Sequence, residues 1–134
     1  NRTIQTQYAP GSVFKVIVAA AGLQEGTLTP MDRLNCNGEF HLGGATFKDW
    51  KKGGHGPVDL LRAVNQSCNI YFYHYGLRIG GAAIARYAAE FGLGRPTGIV
   101  FGGEKSGLIP QPRSSRSRRP SSRTPTGGPA AASQ

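Results

Sequence analysis

The chain has 134 residues, and its 38% of hydrophobic residues, with 20 glycines and 9 prolines, leave material for only a modest core. The formal net charge of +9 is uneven: residues 1–110 contain eleven Lys/Arg and seven Asp/Glu, whereas residues 111–134 contain five arginines and no acid. The basic pI therefore does not indicate nucleic-acid binding by residues 1–110, and no apolar run reaches the ~18 residues of a membrane span or forms a signal peptide.

The segment after Pro10-Gly11 predicts a buried helix from Ser12 to about Gln24, although its β-branched residues would also suit a strand. It is almost wholly apolar apart from Lys15 and ends at the turn pair Glu25-Gly26. A helix places the side chains of Ser12 and Lys15 on one face, about one turn apart. The chain begins without methionine close to this segment, and we expect it to be cut at its N-terminus.

Short strands and turns are predicted for residues 28–54. Alternation of apolar and polar residues favours strands at Glu39–Leu42 and Ala45–Trp50. The dipeptides Asn37-Gly38 and Gly43-Gly44 are typical of turns.

Three further helices are predicted. Pro57 suits the first turn of a helix that continues through Val64. Another helix covers Asn69–Arg78, directly after Ser67-Cys68, and a third covers Ala82–Phe91.

Residues 111–134 differ abruptly in composition from the rest of the chain. They contain six serines and four prolines but no aromatic residue and no Val, Ile or Leu. Such a segment cannot bury enough apolar surface to fold, so we expect a disordered tail. The composition is also that of a GC-rich gene read out of frame, which is our interpretation; an authentic basic linker is the alternative.

The two cysteines, Cys36 and Cys68, are too few for a disulfide scaffold, and their spacing matches no zinc pattern. We therefore predict no metal site and no cofactor. A disulfide between them is one hypothesis for an exported protein, and two small buried thiols is the other. His55, which lies between glycines, is interpreted as a structural loop residue.

Two short motifs carry the candidate chemistry. Ser12 and Lys15 place a hydroxyl beside an amine, as a serine nucleophile requires when a lysine accepts its proton. Ser67-Cys68-Asn69 supplies a second hydroxyl and an amide at another helix start. Taken singly, each serine is explained by capping its helix, and Lys15 by extending along the helix towards solvent.

Five ordered blocks resemble a class B penicillin-binding protein, most closely the elongation type called penicillin-binding protein 2. The blocks, within residues 4–110, are YAPGSVFK, NCNGEFHLGGATFKDWKKGGHGPVDL, SCNIYFYHYGLRIG, FGLGRPTGI and GEKSGLIP. The resemblance implies a peptidoglycan D,D-transpeptidase, which cross-links stem peptides through a serine acyl-enzyme and is acylated by penicillin.

Motif position in that family implies a role for each candidate residue. Ser12 would be the nucleophile and Lys15 its general base, while Ser67 relays a proton towards the leaving amine and Asn69 holds the substrate amide. A lysine acts as a base only when its pKa falls towards neutrality. We expect the helix N-terminus and nearby apolar side chains to lower it. Those side chains are Val13, Phe14, Val16 and Ile17.

The family's third motif, Lys-[Ser/Thr]-Gly, is matched in letters by Lys105-Ser106-Gly107. This match lies too close to Asn69 and inside a stretch that resembles a connecting segment, so we interpret it as a coincidence on a surface loop. The predicted fold is then a partial β-lactamase/transpeptidase-like α+β fold in residues 1–110. It contains mostly the helical subdomain with short strands, and the central antiparallel sheet is largely missing. We expect the isolated chain to be inactive and prone to aggregation.

Two other functions stay open. A serine β-lactamase or β-lactam sensor domain shares the nucleophile and relay, although the loop from Cys36 to Gly56 argues against it. A non-catalytic nucleic-acid binder would use the Arg/Ser tail.

For the transpeptidase, the resemblance implies stem peptides and β-lactams as ligands, a membrane glycosyltransferase of the elongation machinery as partner, and no nucleic acid. It also implies the periplasmic face of the bacterial cytoplasmic membrane, with an anchor outside this chain.

Overall fold

The computed structural model describes residues 5–100 and 102–111. Within these residues, a 3-10 turn, Gly11–Val13, leads into the first of four α-helices, which are α1 (Phe14–Gln24), α2 (Leu60–Asn65), α3 (Asn69–Ile79) and α4 (Gly81–Glu90). Between α1 and α2 lie four strands, β1 (Leu34–Cys36), β2 (Glu39–Leu42), β3 (Ala45–Lys48) and β4 (Gly56–Val58). None of the helices in these ranges is both long and apolar enough to cross a membrane.

The core forms where α1 packs against α3 and α4. Tyr71 of α3 is fully buried, with its ring centroid 4.6 Å from that of Tyr75 and 5.5 Å from that of Phe72. Each large apolar side chain removed from water in this way contributes roughly 1.5–3 kcal/mol. The buried cluster comprises Val18, Ala19, Leu28, Cys36, Val58, Leu60, Ala63, Cys68, Ile70, Tyr71, Phe72 and Tyr75.

Two small antiparallel sheets bring distant parts of the chain together. β1 pairs with β4, which sets Cys36 opposite Gly56, and β2 pairs with β3 across the Gly43-Gly44 turn. The backbone N–H of Asp49, directly after β3, donates to the carbonyl of Gly38 over 2.8 Å. The segments that carry Cys36, Asp49 and His55 therefore converge at one place in the fold.

The predicted α+β architecture with short strands is confirmed, and the helix at Asn69–Arg78 and the strand at Glu39–Leu42 are confirmed within one residue. The strand predicted for Ala45–Trp50 ends earlier, at Lys48. Ser12 lies in the 3-10 turn that precedes α1 rather than in the α-helix itself.

The predicted helix start at Pro57 is wrong. Pro57 lies in β4, opposite Asn35, and α2 begins only at Leu60. The physical reason is Asp59, whose carboxylate accepts the backbone N–H of Arg62 over 2.8 Å and caps the helix. A proline is tolerated at the edge of a two-stranded sheet because one side of the strand needs no donor.

The literal third motif, Lys105-Ser106-Gly107, is exposed and outside any strand, as expected for a surface loop. Two predictions concern residues that the structure does not describe. They are the disordered tail at residues 111–134, of which only Gln111 is described, and the cut N-terminus at Asn1.

Gly54 and Gly44 have similar positive φ angles but differ in how closely other atoms approach them. A Cβ atom on Gly54 would lie 2.1 Å from the carbonyl oxygen of Cys36, whereas one on Gly44 would meet nothing within 4 Å; their φ angles are +78° and +80°. Alanine pays about 1–2 kcal/mol for the left-handed backbone at either position. We expect Gly44→Ala to lose only that amount in urea unfolding and Gly54→Ala to lose more or to yield no folded protein. Equal losses of unfolding free energy in the two variants would contradict the close contact between Gly54 and the Cys36 carbonyl.

Candidate active site

Ser12 and Lys15 are placed together by the start of α1. Ser12 is exposed in the 3-10 turn, and Lys15 follows in the first turn of the α-helix, where its side chain is half-buried. The Lys15 amine donates to the Ser12 hydroxyl over 3.4 Å, a long contact.

The corner that precedes α3 supplies the other two predicted residues. Ser67 has a φ of +52°, and it is the only non-glycine residue with positive φ in the described ranges. Such a conformation costs about 1–2 kcal/mol and persists only where surrounding contacts hold it. Two contacts flank it: the Trp50 indole N–H donates to the carbonyl of Gln66 over 3.1 Å, and the Cys68 sulfur accepts the N–H of Tyr71 over 3.5 Å.

The amine of Lys15 joins this corner to α1. Its Nζ atom donates to the Ser67 carbonyl oxygen over 2.7 Å, to the Ser67 hydroxyl over 2.8 Å and to the Asn69 amide oxygen over 2.6 Å. The Ser67 hydroxyl in turn donates to the Ser12 hydroxyl over 2.9 Å. The structure therefore brings all four predicted residues, Ser12, Lys15, Ser67 and Asn69, into one hydrogen-bonded group, while their catalytic roles stay predictions.

Burial lowers the pKa of the Lys15 amine below its ordinary value of 10.5, against the opposing effect of the Asp49 charge. The expected apolar contributors from the same helix are wrong in part, since Val13 is 75% and Val16 53% exposed. The cover comes instead from α3, where the ring of Phe72 has its centroid 5.8 Å from the amine. A lowered pKa is the property that a lysine base needs.

Two cavities open at this group. The first, of about 500 Å³, is lined by Ser12, Lys15 and Asn69 on its polar side and by Phe14, Phe72 and Ile84 on its apolar side. The second, of about 460 Å³, reaches Ser67 past Trp50 and His55. The exposed Ser12 hydroxyl is thus accessible to a ligand that fills the first cavity.

Beneath the corner lies a second, buried cluster. It consists of Cys36, Asp49, His55 and Cys68, whose sulfur, carboxylate and ring-nitrogen atoms all lie within 4.8 Å of one another. The Asp49 carboxylate accepts from the thiols of Cys36 and Cys68 over 3.2 and 3.3 Å, and its oxygen lies 3.3 Å from His55 Nδ1. We call these four residues the buried thiol cluster.

The buried thiol cluster fits a zinc-type ion. Cys, His and Asp are the residue types that bind Zn²⁺, and four such ligands at 2.0–2.3 Å in tetrahedral geometry are separated by roughly 3.3–3.8 Å. The three contacts of the Asp49 oxygen already lie in or near that range. The sequence prediction of no metal site considered the spacing of the cysteines alone, and the structure adds Asp49 and His55.

Burial raises the pKa of both Asp49 and Cys68, but the net shifts of the two groups are opposite. Burial alone raises the pKa of Asp49, but hydrogen bonds from the Cys36 and Cys68 thiols and the backbone N–H of Lys51 outweigh it and leave that pKa below its ordinary value. Burial raises the pKa of the Cys68 thiol to about 12. Without a metal, the cluster therefore combines an ionised Asp49 carboxylate with a protonated Cys68 thiol.

Sequence reasoning identified the catalytic candidates but missed the buried thiol cluster. His55, interpreted as a structural loop residue, is a 5% exposed member of it, and no described residue bonds its Nε2 atom. Cys36 and Cys68 are buried free thiols in this structure. One feature of the sequence could have indicated the cluster. Cys68 lies inside the Ser67–Asn69 motif, so a residue that contacts its thiol lies next to the candidate catalytic group.

Comparison with known proteins gives consistent matches. The family model described as the penicillin binding protein transpeptidase domain matches residues 1–132. The peptidoglycan D,D-transpeptidase MrdA of Acinetobacter baumannii is 38% identical over 114 residues, which cover 84% of this chain and 17% of that protein. The chain therefore spans about 17% of the length of this curated relative.

Solved structures extend the likeness to three dimensions. The penicillin-binding protein PBP2 of Helicobacter pylori, solved alone and in complex with MreC, is 34% identical with a TM-score of 0.78, covering 82% of this chain and 21% of that one. A chain of a peptidoglycan synthase complex that coordinates polymerisation and cross-linking is also 34% identical, with a TM-score of 0.71, covering 83% and 19%. The expected partial transpeptidase-like fold and the resemblance to elongation-type proteins are thereby confirmed.

The lowered pKa of Lys15 makes a prediction about stability. Because the folded chain holds the proton less tightly, the unfolded chain binds more protons between the folded pKa and 10.5, so stability rises with pH in that window. We expect the unfolding free energy of the native chain to increase relative to Lys15→Met as the pH rises towards 10.5, by less than ~1.4 kcal/mol per pH unit. Urea unfolding of both proteins across this range measures it. A difference that decreases as pH rises would mean that the pKa is raised instead.

Proposed function

This chain belongs to the penicillin-binding protein transpeptidase family, and we propose that it is the nucleophile-bearing part of a peptidoglycan D,D-transpeptidase. The observation that carries the proposal is the single amine of Lys15 shared by Ser12, Ser67 and Asn69. A serine capping its helix needs no such amine, and a lysine extended to solvent would not be half-buried among three polar side chains.

In the proposed reaction, the Ser12 oxygen attacks the carbonyl carbon of the terminal D-Ala-D-Ala bond and forms an acyl-enzyme. Its proton goes to Lys15, which must be neutral to accept it, and the lowered pKa favours that form. Ser67 offers a second route, because its hydroxyl bridges Ser12 over 2.9 Å and Lys15 over 2.8 Å. The same bridge returns the proton to the leaving amine, and the acyl group then passes to an amine of a neighbouring strand.

Substrate alignment is assigned to the first cavity and Asn69. The cavity's apolar wall, with Phe14, Phe72 and Ile84, suits the methyl groups of a D-Ala-D-Ala terminus. Asn69 lines the same cavity, which supports its proposed bond to the substrate amide. The backbone N–H of Ser12, at the N-terminus of the 3-10 turn, has no intrahelical acceptor and is available to the developing oxyanion. β-Lactams carry the same reactive carbonyl and are proposed to acylate Ser12.

A zinc ion in this protein would be held by the buried thiol cluster, Cys36, Asp49, His55 and Cys68. Four protein ligands leave no open position, so its contribution would be structural rather than chemical. Asp49 holds the Cys68 thiol by a hydrogen bond, and this contact also helps to position the backbone on either side of Cys68.

Assembly, location and boundaries follow as further parts of the proposal. We propose a place in the elongation machinery beside a membrane glycosyltransferase, supported by the PBP2–MreC and peptidoglycan synthase complexes of the similar proteins. The corresponding location is the periplasmic face of the bacterial cytoplasmic membrane.

We also propose that residues 111–134 lie outside the domain because of their composition, although the family match extends to residue 132.

A serine β-lactamase or β-lactam sensor is not favoured by the comparisons, whose matches are transpeptidases and penicillin-binding proteins, and neither is a nucleic-acid binder. The two serine enzymes differ in deacylation: a transpeptidase keeps its penicilloyl group, whereas a β-lactamase hydrolyses it.

Incubation of the chain with a fluorescent penicillin tests the nucleophile. No strand residue lines the Ser12 cavity in the described part of the chain, and one missing oxyanion donor costs on the order of 10²–10³ in rate. We therefore expect slow labelling, confined to Ser12 in peptide maps, lost in Ser12→Ala and stable to hydrolysis. Ser106→Ala, in the literal third motif, is the matched control and should label like the native chain.

Two outcomes would contradict these expectations. Label on Ser67 or Ser106 would overturn the assignment of Ser12, and rapid stoichiometric labelling would overturn the expected inactivity of the isolated chain. The same Ser12→Ala comparison in a chimera, with residues 5–110 replacing the matching segment of the Acinetobacter relative, tests the nucleophile where the remainder of the domain is present.

A further inference from the structure

The two thiols of the buried thiol cluster face the same oxygen atom. Both donate to Asp49 Oδ2, over 3.2 and 3.3 Å, and the two sulfur atoms lie within 4.8 Å of each other. A disulfide bond needs an S–S distance of about 2.05 Å and side chains that point towards each other. The pair meets the second condition, because both thiols converge on one acceptor. To meet the first, the side chains must rotate and bring the two sulfur atoms, which lie within 4.8 Å, to bonding distance.

We propose that Cys36 and Cys68 are an oxidation site, which closes to an intrachain disulfide in competition with metal binding by the buried thiol cluster. This inference does not depend on the proposed function. A metal needs both sulfurs as separate thiolate ligands, and a disulfide removes them from the ligand set. The cluster therefore has two mutually exclusive states, one metal-bound and one oxidised.

The oxidation balances with a low-molecular-weight disulfide as oxidant. One cysteine, as thiolate, attacks the oxidant, forming a mixed disulfide and releasing one small thiol. The second cysteine attacks the mixed disulfide at the protein sulfur, closes the Cys36–Cys68 bond and releases the other small thiol. Two protein thiols are oxidised, and one oxidant disulfide is reduced to two thiols.

Closing the bond changes the surroundings of both Asp49 and the catalytic corner. Asp49, whose side chain is 0% exposed, would lose both thiol donors and keep His55 and the backbone of Lys51. Loss of hydrogen bonds to a buried carboxylate is costly, which makes this disulfide easier to reduce than an unstrained one. Cys68 would also become covalently tied to the end of β1, while its neighbours Ser67 and Asn69 hold the amine of Lys15.

Burial controls how fast the site reacts. Cys36 is 1% exposed and Cys68 0% exposed, so the oxidant reaches them only when the cluster opens locally. A bound metal would keep the cluster closed and occupy both sulfurs. The proposal therefore requires slow oxidation of the metal-free chain and still slower oxidation of the zinc-loaded chain.

The experiment uses the full chain, reduced and freed of metal with a chelator, then incubated with oxidised glutathione under non-denaturing conditions. We expect intact mass to fall by about 2 Da without a glutathione adduct, the thiol count to go from two to zero, and peptide mapping to show Cys36 joined to Cys68. Equimolar zinc should slow this reaction at least tenfold. Cys36→Ser should stop at the mixed disulfide.

Asp49→Asn is the matched control for the competition. It keeps both thiols but removes one metal ligand, so we expect oxidation to proceed at nearly the same rate with and without zinc. Persistence of two free thiols in the folded chain, or glutathione adducts on both cysteines, while urea-unfolded chain closes the bond, would overturn the oxidation site. Equal rates for the native chain with and without zinc would overturn the competition.

Discussion

The hydrogen bonds of one amine hold the candidate site together. Lys15 on α1 meets the corner before α3 at three acceptors, the carbonyl and hydroxyl of Ser67 and the amide of Asn69, all within 2.8 Å. The contact joins segments that are distant in sequence, and it depends on the packing of α1 against α3. An ammonium has three donors and here meets four acceptors when Ser12 is included, so its longest contact, 3.4 Å, falls on Ser12. The proposed nucleophile is therefore the residue that the amine holds least tightly.

The corner is a strained element that its surroundings keep in place. Ser67 takes a left-handed backbone conformation, which a β-carbon disfavours, and the resulting turn points its carbonyl and its hydroxyl at the same amine. Trp50 fixes the carbonyl just before it, and Asp49 fixes the thiol just after it. Both residues follow β3, so the hairpin supports the corner from one side while α1 supports it from the other.

The helices and the two motifs were predictable because their signals are local. The short spacing from Ser12 in the 3-10 turn to Lys15 in the first turn of α1 is enough to bring them together, and caps and glycines bound α3 and α4. The start of α2 was not predictable from such signals. Pro57 favours a first helical turn, but it pairs in β4 with β1, and the helix begins only after the cap at Asp59. The buried thiol cluster was not predictable either, since it combines residues from the end of β1, two loops and the start of α3, and no local period links them.

Cys68 connects the proposed catalytic group to the buried thiol cluster. Its backbone lies between Ser67 and Asn69, whose side chains face the amine of Lys15, while its own side chain points the other way, towards Asp49. Consecutive residues at a helix start share one backbone, which is held here by the hydrogen bond from the N–H of Cys68 to the carbonyl of Ala63. A state of the cluster that shifts the backbone of Cys68 therefore also shifts Ser67, whose hydroxyl donates to Ser12. The buried thiol cluster is in this way linked to the surroundings of the exposed serine.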